Sequence, residues 1–142
     1  MSKQLVLCTW PMIDRAVNEI ALQMRTEGRQ YASVYAIPRG GLVLGVMMSH
    51  TLKVPLLLDE KEISIDTLVC DDIVDTGKTM DSLWERIHKQ NAENFHVATI
   101  YATTGAPLPT YHMYWKQPND WIHFPWENYQ KTLEVISNAR TI

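Results

Sequence analysis

The chain has 142 residues, 46% of them hydrophobic, which suits one domain (1–142) with a sizeable core. Its formal net charge of −3 gives no electrostatic case for a nucleic-acid partner. No apolar run approaches the roughly 20 residues that span a bilayer, and the N-terminus lacks a secretory leader pattern, so a soluble cytoplasmic protein with no membrane partner is expected. Cys8 and Cys70 both lie in apolar runs, as buried free thiols of a reducing compartment would.

Leu5 to Cys8 reads as a short strand. Thr9 is placed to cap a helix with Pro11 in its first turn, where a missing N–H does no harm. Met12, Ile13, Ala16, Val17, Ile20, Ala21 and Met24 then recur at helical spacing as far as Gly28. Ser33 to Ile37 reads as a strand ending in Pro38-Arg39-Gly40-Gly41, with a second helix from Leu42 to about Leu52. Two glycines let a backbone approach a ligand closely, and Arg39 adds a charge suited to phosphate. A tight turn with an exposed arginine explains the same residues. Val54 to Leu58 is a third strand, followed by a charged turn, Asp59 to Glu62. The short connection to the next strand allows the two to pair antiparallel.

Thr67 to Thr79 carries most of the information. An apolar strand (Leu68, Val69, Cys70) runs into Asp71-Asp72-Ile73-Val74-Asp75-Thr76-Gly77-Lys78-Thr79, then into a helix with Met80, Leu83, Trp84 and Ile87 on one face. Carboxylates and free backbone N–H groups thus meet at the carboxyl end of a strand, where open α/β sheets bind ligands. The turn offers N–H groups and hydroxyls to a phosphate, and the aspartates offer acceptors to hydroxyls, a metal or a proton. A sugar phosphate needs both. Gly77-Lys78-Thr79 is not a nucleotide-triphosphatase P-loop, because that pattern requires glycine where Asp72 stands. A solvated acidic turn fits three aspartates, two threonines and a glycine poorly.

Phe95 to Ala102 is a further core strand, Thr103 to Pro107 a loop, and Tyr111 to Trp115 an edge strand. Trp121-Ile122-His123-Phe124-Pro125-Trp126-Glu127 reads either as a hydrophobic cluster anchoring the tail or as an aromatic platform for a planar base. Leu133 to Ala139 can form one short helix.

The Asp71–Thr79 segment resembles the signature of the type I phosphoribosyltransferases. Thr9-Trp10 before the first helix, the Ile37 to Val43 turn and Trp121 to Glu127 follow the pattern of the purine (xanthine–guanine and hypoxanthine) branch in the right order, over nearly the whole chain. The resemblance implies an α/β fold: a mostly parallel twisted sheet with flanking helices and a small C-terminal hood and tail, about 103–142. It implies Mg²⁺-dependent transfer of a phosphoribosyl group from 5-phosphoribosyl-1-pyrophosphate to a purine base, a 6-oxopurine in most of this branch, in a homo-oligomer.

Residue by residue, the resemblance assigns Asp71 and Asp72 to the ribose hydroxyls, with Asp72 also in the magnesium shell and Glu127 near the metal. Thr76, Gly77, Lys78 and Thr79 take the 5-phosphate. Arg39 and Gly40 take the pyrophosphate, in a turn often entered through a cis peptide. Asp75 is the general base at N7 of the purine, Trp121 stacks on the ring, and the backbone of Ile122 meets its edge.

Two departures stand out. The long mobile loop that closes over the site in this family is cut to Asp59–Asp66. The lysine that reads the 6-oxo group is replaced by Thr103, a hydroxyl without charge, and Lys116 is not expected to take over from its place in the sequence. Two other functions stay open: a non-catalytic module that senses phosphoribosyl pyrophosphate or nucleotides, and a transferase of the same fold acting on another base.

Overall fold

A computed structural model describes residues 3–87 and 95–127; the expected helix at Leu133 to Ala139 lies outside them. The elements run β1 (Gln4–Leu7), α1 (Trp10–Glu27), β2 (Ser33–Ala36), α2 (Leu42–Leu52), β3 (Leu56–Leu57), β4 (Thr67–Val74), α3 (Lys78–Ile87), β5 (His96–Thr103), β6 (Tyr114–Lys116) and β7 (Asp120–His123). Helix α1 starts as its sequence dictates. Thr9 stays extended and its hydroxyl accepts the Met12 N–H, while Gly28 closes the helix at a φ of 69°.

Five strands form one sheet in the order β3-β2-β4-β5-β6, and every pairing in it is parallel. The strand residues alternate between two cores. Val34, Leu68, Cys70, Ala98 and Ile100 pack with α1 and α2 on one face. Tyr35, Val69 and Val97 pack with Leu83 and Ile87 of α3 on the other. Burial on both faces is what parallel strands require, and it accounts for the nearly continuous apolar runs in β2 and β5.

Two sequence expectations change. Strands β3 and β4 do not pair antiparallel. Both lie parallel to β2, on its two sides, because α2 returns the chain to the outer edge before residues 58–66 carry it back to β4. Those residues do not span the sheet edge as a hairpin: a short 3-10 turn (Glu60–Glu62) leads to Ile63, which is buried beneath α3. Second, Asp71 and Asp72 belong to β4 rather than to the loop after it. The strand continues through β-branched Ile73 and Val74, which pair with Tyr101 and Ala102 of β5. The edge strand expected at Tyr111 to Trp115 is present as β6, at the edge of the main sheet. The separate two-stranded sheet joins β7 to β1, with Leu5 opposite Trp121 and Val6 opposite Ile122.

Strand order reverses between β2 and β4. The crossover after β2 turns one way to β3, and the one after β4 turns the other way to β5. That is the topological switch point of an open α/β sheet, where a crevice opens beyond the strand ends.

Candidate active site

The crevice is lined by the two turns that leave β2 and β4. Ile37 donates its N–H to the Cys70 carbonyl, and Gly41 folds back to donate to the Ile37 carbonyl. The Pro38–Arg39 peptide is cis, as the resemblance implied for the peptide entering this turn. A Cβ at Gly40 would overlap the Asp72 carboxylate, and one at Gly41 would meet the Ile37 and Cys70 carbonyls. Both glycines are therefore set by close approach of this turn to β4.

Beyond β4 the chain turns at Gly77, which has a φ of 89°, and enters α3 at Lys78. The Thr76 hydroxyl accepts the Lys78 N–H. Thr76 and Thr79 are exposed at this helix start, with the unpaired N–H groups of a first turn that favour an anion. A cleft of about 270 Å³ is lined by Pro38, Gly40, Asp71, Asp72, Asp75 and the whole Thr76–Thr79 turn. Arg39 is exposed and lies outside that lining; of the predicted phosphate residues it is the one not gathered in.

Asp71 and Asp72 sit side by side at the end of β4, the Asp71 carboxylate accepting the Asp72 N–H at 2.8 Å. Burial pushes both carboxyls above the usual carboxylate range, and the charge of Asp72 pushes Asp71 further. Two desolvated acids facing a polar cleft form a site that a cation relieves. Among the described residues no cluster of three or more His, Cys, Asp or Glu side chains forms a metal cage. This fits magnesium, which is held by one or two carboxylates with waters and substrate phosphates rather than by a protein cage.

A second cleft, of about 300 Å³, is lined by Trp121, Ile122, Phe124, Glu127, Lys116, Pro118 and Lys3. Its lining also includes Asp72, Ile73 and Asp75, so the two clefts are lobes of one crevice that meet at these three residues. The Trp121–Glu127 stretch divides between core and cleft. Phe124 and Trp126 stack at 4.9 Å and join the core, whereas Trp121 faces the second lobe with the Lys3 ammonium 4.6 Å from its ring centroid. Glu127 lines this lobe with Asp72.

Sequence reasoning missed Lys116. Parallel pairing of β5 with β6 sets it directly opposite Thr103. The residue is only 7% exposed and its Nζ lies 3.3 Å from Asp75 Oδ1. The Thr103 hydroxyl donates to the same oxygen, also at 3.3 Å. This approach to Asp75 was not foreseen, because adjacency across a sheet is invisible to distance along the chain. The edge-strand pattern was the available signal, but not its register.

Residues 59–66, the stretch to which the long closing loop is cut, are a tethered turn. Glu60 holds Arg86 of α3 at 2.9 Å, Ile63 is buried, and no residue of the segment lines either lobe.

A family model for the phosphoribosyl transferase domain matches residues 65–131, from β4 through both lobes. A xanthine-guanine phosphoribosyltransferase of Idiomarina loihiensis is 28% identical over 94% of this chain and 93% of its own. The chain is thus similar to phosphoribosyltransferases over nearly its whole length. A purine phosphoribosyltransferase of Pyrococcus horikoshii superposes with a TM-score of 0.75, at 26% identity over 88% of this chain and 95% of that one. A Helicobacter pylori xanthine-guanine-hypoxanthine phosphoribosyltransferase shares the fold, with a TM-score of 0.74 at 18% identity over 93% and 98% of the two chains. The phosphoribosyltransferase fold of these neighbours is the three-layer, parallel-sheet architecture described above.

Proposed function

We propose that this protein moves the phosphoribosyl group of phosphoribosyl pyrophosphate onto a purine base, a 6-oxopurine, releasing pyrophosphate. The observation that carries this reading is the junction of the two lobes. One offers a phosphate turn and paired acids, the other an aromatic wall, and they share Asp72, Ile73 and Asp75. Two substrates bound there would meet at that junction, which turns a bimolecular reaction into an effectively unimolecular one.

In this reading the 5-phosphate lies on the Thr76–Thr79 turn at the start of α3, and Asp71 and Asp72 accept from the ribose hydroxyls. Gly40 leaves room for the pyrophosphate, and Arg39 swings in to it. Trp121 stacks on the base and the Ile122 backbone meets its edge. Asp75 takes the proton from N7, the ring electrons shift to N9, and N9 attacks C1 of the ribose. The C1–O bond electrons leave with pyrophosphate. Proton transfer of this kind contributes roughly 10²–10⁴ in rate. Asp72, with Glu127 across the lobe, would hold magnesium, which supplies charge neutralisation to the leaving pyrophosphate.

Thr103 and Lys116 both address Asp75 Oδ1, and among the described residues no hydrogen bond falls on Oδ2. That arrangement orients the carboxylate while leaving an oxygen to receive a proton, which favours a catalytic reading over a purely sensory one. The tethered 58–66 turn favours the opposite, since nothing in it covers the crevice. Action in the cytoplasm as a homo-oligomer is part of the proposal; among the described residues, no helix is long and apolar enough to cross a membrane.

The experiment is incubation with phosphoribosyl pyrophosphate, Mg²⁺ and a panel of bases, following pyrophosphate release. Release with guanine, hypoxanthine or xanthine is expected. Tight binding of phosphoribosyl pyrophosphate with no release for any base would make the protein a sensor, and release with a non-purine base alone would refute the purine assignment.

A further inference from the structure

The wall of the second lobe contains a buried cation. Lys116 ends the edge strand β6, and its ammonium sits at the wall of the lobe beside Asp75. It touches three oxygens, all at long range: Asp75 Oδ1 at 3.3 Å, the Gln117 carbonyl at 3.2 Å and the Pro118 carbonyl at 3.4 Å. Good N–H···O bonds are shorter than these, centred near ~2.9–3.0 Å. A buried lysine satisfied only by stretched bonds is poised to give one of them to a better acceptor entering the lobe.

We propose that Lys116 is the residue that selects a 6-oxo purine, delivering from β6 the charge that Thr103 does not supply from β5. This rests on the phosphoribosyl-transfer reading above. Thr103 and Lys116 are register partners in a parallel pair, so their side chains leave the same face of the sheet. Moving a lysine from one to the other shifts its root by one interstrand spacing, about 4.8 Å. Its four-carbon stem spans that distance: Lys116 Nζ and the Thr103 hydroxyl converge on the same oxygen, Asp75 Oδ1.

The acceptor follows from the neighbouring group. On a 6-oxopurine, O6 and N7 lie on one edge. Asp75 facing N7 sets O6 toward the ammonium that touches the same carboxylate. As Asp75 removes the N7 proton, negative charge spreads through the ring onto O6, where Lys116 stabilises it. A 6-amino group presents N–H to the ammonium instead, donor against donor, and is rejected by the same contact that favours the oxo group. Thr103, donating to Asp75 Oδ1, keeps the carboxylate in place when Lys116 turns to the base.

The test compares hypoxanthine and adenine, which differ at C6, by kcat/KM with phosphoribosyl pyrophosphate and Mg²⁺. Wild type should favour hypoxanthine at least tenfold. Lys116→Met, which keeps the stem, should cut the hypoxanthine-to-adenine ratio by about 10–100-fold, the range of a hydrogen bond from a charged group. The transposed double variant Thr103→Lys/Lys116→Thr should regain at least tenfold of that loss. A structural role for Lys116 would lower both substrates together and leave the ratio unmoved. An unchanged ratio in Lys116→Met overturns the inference, as does a folded transposed variant that stays at the Lys116→Met level. If Lys116→Met does not fold, the wild-type ratio decides alone, and a value near one overturns the inference. Wild-type turnover keeps the two claims apart. No turnover with any base defeats the transferase reading and this inference with it, whereas turnover of hypoxanthine with a ratio indifferent to Lys116 defeats this inference only.

Discussion

The backbone of Gly40 lies directly against the carboxylate of Asp72, so that a single added methyl group would overlap it. This contact joins the turn after β2 to the end of β4, and through Asp72 it reaches both lobes of the crevice. Gly40→Ala should therefore displace either the turn or the carboxylate. Overpacking of this kind costs about 1–3 kcal/mol. The expected outcome is a lower melting temperature together with a loss of phosphoribosyl pyrophosphate affinity of tenfold or more, read by calorimetry. Wild-type affinity in a folded variant would mean that the contact does not shape the phosphate lobe.

The segment 58–66 makes a different prediction, about stability. Ile63 is 4% exposed among Tyr35, Val69, Leu83 and Ile87, while the Glu60–Arg86 pair lies at the surface. Ile63→Ala should cost about 2–5 kcal/mol, as buried large-to-small substitutions do. Glu60→Ala should cost no more than about 1 kcal/mol, since surface ion pairs are screened. Urea denaturation of the two variants checks the order. If Glu60→Ala is the more damaging, the ion pair rather than the apolar anchor holds the turn.

Much of this was legible in the sequence, for identifiable reasons. The cap at Thr9, the stop at Gly28 and the helix Leu42–Leu52 depend on local chemistry, and local chemistry is what a sequence displays. The Thr76–Thr79 turn was legible because it is one contiguous stretch between β4 and α3. What escaped depends on register and crossover. The parallel placement of β3 and β4 on either side of β2 follows from where α2 returns the chain. The extension of β4 through Asp71 and Asp72 follows from its pairing with β5. The approach of Lys116 to Asp75 follows from the β5–β6 register, which no spacing along the chain encodes.

The two cysteines give a chemical check on the core. Burial pushes the Cys8 thiol up to about 11 and pushes Cys70 upward as well, with the charge of Asp71 adding to the effect at Cys70. The thiolate is the reactive form. Neither thiol should react with a disulfide reagent at pH 8 while the protein is folded, and both should react on unfolding in guanidinium. Rapid labelling of Cys70 in the native protein would contradict its place at the centre of the sheet.

The central claim is that Asp75, at the junction of the lobes, moves the proton that lets a base displace pyrophosphate. Asp75→Asn tests it most directly, with single-turnover nucleotide formation measured beside phosphoribosyl pyrophosphate affinity. The account predicts that turnover falls by roughly 10²–10⁴-fold, the share of a general base, while affinity changes by far less. An equal loss in both, or turnover within a few-fold of wild type, would contradict it.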